Sequence, residues 1–145
     1  MKKFELTSEF VTNIFGTKLF RIKALVAFGD VEAGEIGGYI EKEENLDHDG
    51  NAWVYGDARV YGDARVCGNA RVCGNADYAY AHGFGSVNRT TTFFRLKDGG
   101  VGVRCGCFYG TLGEFREKVR ETHGDGKLAQ EYLMLADLME MRFRR

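Results

Sequence analysis

The sequence predicts a mainly β fold: a short parallel coil of triangular cross-section, capped at both ends by other elements. Three observations predict it. The stretch GNAWVYGDARVYGDARVCGNARVCGNA, residues 50–76, repeats every six residues. Its slots are fixed in type: Ala at 52, 58, 64, 70 and 76, Val at 54, 60, 66 and 72, Gly at 56, 62, 68 and 74, and Asn or Asp at 51, 57, 63, 69 and 75. Finally, the chain has 20 glycines and no proline, so its turns fall to Gly, Asn and Asp, which tolerate positive φ.

Each unit reads as a very short strand with one small and one branched inward residue, two apart, followed by a Gly-Asp or Gly-Asn turn. A helical period of 3.6 would scatter Ala58, Ala64 and Ala70 around the helix, and hairpins of such short strands would leave the Ala/Val pairs unburied. Three hexapeptides per turn bury all of them and stack equivalent residues 18 apart. Upstream, Ile40 and Leu46 keep the step and Gly50 keeps the Gly slot, while His48 replaces Val, which reads as a degraded first coil. Downstream, Tyr78 and Phe84 take the Val slot. The whole makes about two and a half to three coils, roughly 10 to 15 Å tall at a strand spacing of about 4.8 Å. Such a stub exposes unpaired backbone at both ends and needs caps.

The remaining segments supply them. Residues 1–30 contain the strand-like KKFELT and TKLFRIKALVAF, anchored by Leu19, Ile22 and Leu25, before the repeat segment at 31–86. Residues 87–110 read as a hairpin, with Thr91 to Leu96 turning at Asp98-Gly99-Gly100 and returning through Val101, Val103, Cys105 and Cys107. Residues 111–145 read as two helices. The first opens with Thr111 and Glu114 at capping-box spacing, buries Leu112, Phe115 and Val119, and stops at Gly124. The second, about Lys127 to Phe143, carries Leu128, Tyr132, Leu135, Leu138 and Met139. All four segments are expected to form one domain, as suits 145 residues.

The repeat resembles the hexapeptide-repeat superfamily, and that resemblance implies a left-handed parallel β-helix. The run KALVAFGDVEAGEIGGYIEKEENL followed by GNAWVYGDARV is similar to small bacterial YdcK-like hexapeptide proteins, often labelled transferases. The block CGCFYGTLGEFREKVRETHG is similar to proteins that recur in gut bacteria and their phages. For function, the superfamily implies transfer of an acyl group from a CoA or carrier thioester by a histidine base at a subunit interface. It also implies a homotrimer, to which the flat faces of a triangular prism are suited.

Charge and composition narrow the classes. A net charge of −1 offers no bulk basic field for nucleic acid or an anionic membrane, so no DNA partner is expected. MKKFELTSEF lacks an apolar run of signal-peptide length, and no stretch reaches 18 apolar residues, which points to the cytoplasm and away from membranes. Cys67 and Cys73, six apart, fall on different coil faces. Cys105 and Cys107, at i and i+2 of a strand, stand about 6.6 Å apart in poor orientation for a disulfide. Cys-Gly-Cys is half a zinc site, so reduced thiols are expected, with no metal or cofactor.

With stacking 18 apart, Trp53 lies beneath Arg71, Tyr55 beneath Cys73, Arg59 beneath Asp77 and Tyr61 beneath Ala79. These contacts stiffen the coils by up to about 1 kcal/mol each, or the same Trp53, Tyr55, Tyr61, Arg59, Arg65 and Arg71 form an inter-subunit groove. A second cluster, Tyr78, Tyr80, His82, Phe84 and Arg89, interrupts the repeat as a cap or a site. Catalysis would need His82 or His48 as base, since His123 at a helix end only complements carbonyls. The expectation is a non-catalytic homotrimeric binding protein of bacterial or phage origin. It would recognise a host protein or a nucleotide-like anion at Trp53, Tyr55, Arg59, Tyr61, Arg65, Arg71, Tyr80, His82 and Arg89, and could antagonise a host defence system. The alternatives are an acetyl-CoA-dependent acyltransferase and a purely structural trimerisation module.

Overall fold

The structure, a computed structural model, describes residues 2–86 and 89–144. The chain opens with an antiparallel hairpin of β1 (Phe4–Thr12) and β2 (Lys18–Ala24). Alternation along KLFRIKA buries Leu19 and Ile22, whereas Leu25, past the strand end, is exposed. Next comes β3 (Ile36–Ile40), antiparallel to β2. The repeat then contributes three strands of only two residues each: β4 (Trp53–Val54), β5 (Arg59–Val60) and β6 (Arg71–Val72).

These do not build a β-helix. The strands form three separate small sheets, mostly antiparallel, in a mixed α/β fold. Two sheets involve the repeat: one of order β1-β2-β3-β5 and a two-stranded one, β4-β6. Among the described residues, parallel pairing is confined to Tyr39↔Arg59 and Ile40↔Val60, to Trp53↔Arg71 and Val54↔Val72, and to an isolated bridge Leu46↔Val66. The physical reason lies in the offsets. A solenoid repeats one offset at every rung, but here the partners stand 20 residues apart in one ladder and 18 in the other, and a helical turn at Glu43–Asn45 intervenes. The last repeat units leave altogether: Ala76 is exposed, and Tyr78 begins β7 (Tyr78–Phe84), which pairs antiparallel with β8 (Arg89–Arg95). The left-handed architecture implied by the hexapeptide resemblance is therefore corrected, although Ala52, Ala58, Ala64, Ala70 and the four repeat valines are all buried.

The third sheet, of order β10-β9-β8-β7, adds β9 (Val101–Cys105) and β10 (Phe108–Thr111). The β8–β9 hairpin turns near Asp98–Gly100 as its sequence indicates, but Cys107 lies in the turn after β9, outside the strand. The boundary expected at residue 87 lies outside the described residues. Helices α1 (Leu112–His123) and α2 (Lys127–Phe143) complete the chain. Thr111 Oγ1 accepts from the Glu114 N–H at 3.2 Å and Glu114 Oε1 from the Thr111 N–H at 2.9 Å, so the capping box forms. α1 buries Leu112, Phe115 and Val119, while α2 buries Ala129, Tyr132, Ala136, Met139 and Phe143. The α2 stripe is thus rotated from the expected leucines, and Leu138 is exposed. Small Ala129 and Ala136 on the inner face let the backbone pack closely against its neighbours.

Two cores result. The first joins the repeat to the N-terminal sheet through Phe4, Ile22, Trp53 and Phe94, and the second lies between the C-terminal sheet and the helices through Phe93, Phe115 and Tyr132. Among the described residues, no helix is long and apolar enough to cross a membrane.

Candidate functional site: an acid-free cationic hollow

The residues singled out in the sequence do not converge on one groove. Trp53 is fully buried, its ring packed edge-on against Phe4 and Phe28, so the N-terminal segment covers the face expected to be open. Arg71 does pair with Trp53 in the ladder, but its guanidinium stacks on Tyr55, 4.9 Å from the ring centroid, and meets Asp30 at 3.6 Å. Asp77 pairs with Arg95 at 3.5 Å, not with Arg59, whose N–H instead donates to Asn75 Oδ1. Tyr80 reaches back to the repeat, its hydroxyl over the Gly62 turn, and Tyr61 remains 40% exposed. Tyr109 does the same over Gly68, with its hydroxyl accepting the Asn69 N–H at 3.2 Å. The C-terminal sheet is seated on the repeat's turns through these two tyrosines.

The histidines separate clearly. His48 Nδ1 accepts the Lys3 N–H at 3.0 Å, its Nε2–H donates to Glu43 at 2.7 Å, and its ring stacks on Phe4. That hydrogen bond, with Lys2 nearby, holds the Glu43 carboxyl below its usual range. With both nitrogens engaged, His48 has no lone pair for a substrate proton. His82 is exposed, bonded through Nδ1 to Thr90 Oγ1 at 2.7 Å, and shares with Arg65 a shallow hollow of about 200 Å³ that also holds Asp63 and Glu44.

Arg89 leads elsewhere, to a hollow of about 280 Å³ between the C-terminal sheet and α1. Its cationic side chains are Arg89 from β8, Lys118 from α1 and, when protonated, His123 at the α1 terminus. No aspartate or glutamate lines it among the described residues. Four other hollows each hold at least one carboxylate, such as Glu140, Asp47, Asp63 and Asp30. Outside the lining, Glu121 meets Lys118 at 3.9 Å on the exposed helix face.

The wall and floor are aromatic. Phe108 contacts Phe115 at 5.9 Å, Phe115 contacts Tyr132 at 5.6 Å, and Tyr132 contacts His123 at 5.9 Å between ring centroids. Phe115 and Tyr132 are buried in this run, whereas the end rings, Phe108 and His123, are half-buried and open to the hollow. Burial first, and then its hydrogen bond with Cys105, hold the Tyr132 phenol well above its usual range, so it stays protonated. Thr91 Oγ1 donates to the same Cys105 sulfur at 3.3 Å, which keeps that thiol occupied within the core. A Cβ at Gly106 would overlap the Arg89 guanidinium, so the bare turn there lets the guanidinium lie against it.

No protein-family model matches the chain, and no curated protein matches its sequence. Function is therefore read from the side chains. Sequence reasoning found Arg89 and saw His123 only as a helix terminus. It missed Lys118, Phe108 and Tyr132 as neighbours of Arg89, since four elements bring them together. The one available signal was on α1, where Lys118 and Thr122 stand four apart beside the Phe115/Val119 stripe and so border whatever that stripe covers.

Proposed function

We propose that this is a non-catalytic binding protein whose ligand is a small anion with an apolar part, held in the hollow between the C-terminal sheet and α1. The absence of any carboxylate among the described lining residues carries the reading, in a chain whose net charge is −1 and in which four other hollows mix both signs. A guanidinium and an ammonium facing a hollow with no carboxylate among its described lining residues favour an anion, with Glu121 offsetting Lys118 only from outside the lining, and the guanidinium can bind it bidentately. The aromatic floor adds apolar contact, as small-molecule sites usually provide.

The test combines mass spectrometry of material copurified from cell extract with titration calorimetry of the anion recovered. Replacing Arg89 and Lys118 by Gln should weaken binding at least about tenfold. Arg65→Gln, in the mixed-charge hollow, should not. Equal losses in both variants, or none in either, would overturn the assignment. The trimer is a separate proposal, supported by exposed apolar side chains such as Ile14, Phe15 and Met134. Sedimentation at three times 16.3 kDa would support it, and sedimentation as a monomer at micromolar concentration would remove it.

A further inference from the structure

We infer that the ligand is a planar ring system bearing one phosphate, of mononucleotide size; this rests on reading the hollow as an anion site. Three features narrow the class. The volume, about 280 Å³, lies just below the usual range of small-molecule sites and so limits the ligand to one ring system, one sugar and one phosphate, not a dinucleotide. The permanent cations on the lining are two, Arg89 on the strand side and Lys118 on the helix side, the latter also 3.9 Å from Glu121 outside the lining, which suits a single phosphate and not a polyphosphate. The four-ring run gives a planar partner the half-buried Phe108 and His123 to rest against. Ser86 and Thr122, both exposed on the lining, add hydroxyls that suit the sugar between ring and phosphate.

The chemistry of base, sugar and phosphate is shared by a free nucleoside monophosphate and by the end of an oligonucleotide, and the hollow's size favours the free form. The experiment titrates the full chain with the four common nucleoside monophosphates, with adenosine, with inorganic phosphate and with a dinucleotide. A second readout is alkylation of Cys107, which lines the hollow, with the exposed Cys73 as a reference in the same chain. At least one monophosphate should bind and slow alkylation of Cys107 but not of Cys73. Adenosine and phosphate should each bind at least about tenfold more weakly, and the dinucleotide no more tightly than the monophosphate. Phe108→Ala should weaken the monophosphate while leaving phosphate unchanged, and Arg89→Gln should weaken both. Phosphate binding as tightly as every monophosphate would overturn the ring assignment, and tighter binding of the dinucleotide would overturn the size assignment. Failure of all four monophosphates would overturn the inference entirely. The broader anion reading would then stand or fall separately, on whether the copurified anion still requires Arg89.

Discussion

Substituting alanine for three equivalent glycines should give three different losses of stability, because the turns share a conformation but not a neighbour. Gly56, Gly62 and Gly68 have φ of 57°, 67° and 66°, so each substitution carries the same backbone penalty of about 1 kcal/mol for placing a Cβ in the left-handed region. At Gly56 nothing lies within 4 Å of the added methyl, and the loss should stop there. At Gly62 the methyl meets the hydroxyl and Cζ of Tyr80, whose ring, unlike that of Tyr109, stacks on no other ring among the described residues, so the loss should rise less than at Gly68. At Gly68 it meets the hydroxyl, Cζ and Cε1 of Tyr109, whose ring is also stacked on Phe94. Overpacking there adds about 1 to 3 kcal/mol, and displacing the Asn69 hydrogen bond adds about 1 kcal/mol. Urea unfolding followed by circular dichroism should rank the losses Gly56→Ala, then Gly62→Ala, then Gly68→Ala, with unchanged m-values. In the double variant Gly68→Ala/Tyr109→Ala, the loss should fall short of the sum of the single losses by at least about 1 kcal/mol. Equal losses at the three turns, or strict additivity in the double variant, would refute the idea that tyrosines seat the C-terminal sheet on the repeat.

The remaining predictions concern the cores and the caps. Lys3 is 3% exposed, donates from Nζ to Ala52 O at 2.8 Å, and is lowered by burial from 10.5 to about 8. Between those values the unfolded chain carries the extra proton, so Lys3's own contribution to stability should rise by about 3 kcal/mol from pH 8 to 10.5, against the opposite slope from Cys67, Tyr78 and Tyr132, whose pKa values burial raises. Lys3→Met should remove that contribution, and an unchanged slope in urea titrations would refute the assignment. Val66→Asp places a carboxylate at a fully buried position and should cost several kcal/mol, whereas Arg65→Asp next to it, exposed, should cost under about 0.5 kcal/mol by thermal melting. Trp53→Ala should cost about 3 to 5 kcal/mol as a core truncation, and Trp53→Phe distinctly less, since the indole N–H has no hydrogen-bond partner among the described residues to lose. Thr111→Ala should cost about 1 kcal/mol through the lost helix cap, read from the same melts.

Local signals in the sequence were legible and the long-range ones were not. The Ala and Val slots reported burial directly, and the Thr111–Glu114 spacing reported a helix start, because both depend on residues a few positions apart. The hexapeptide period also implied a uniform offset, and this failed where Glu43–Asn45 inserts a helical turn and where Tyr78 begins a seven-residue strand. Tyr78 and Phe84 keep the six-residue step, so the period continues through a segment that pairs antiparallel with β8. Trp53 looked outward for the same reason: its position in the repeat does not reveal that Phe4 and Phe28 arrive from a distant segment to cover it. Arg89 stood out as a departure from the repeat, but the acid-free character of its surroundings depends on α1 and α2, which no spacing in the sequence connects to it.

Adjacent residues of β8 serve opposite sides of the molecule: Phe94 is packed with the repeat, and Phe93 with the helices that floor the hollow. This strand is a party wall, and neither room can be remodelled without moving it. Opening one core leaves the other face of β8 still packed, so its amides should be among the last to exchange with solvent. A ligand that tightens the helix side will thereby restrain the repeat side as well, although it touches no residue there.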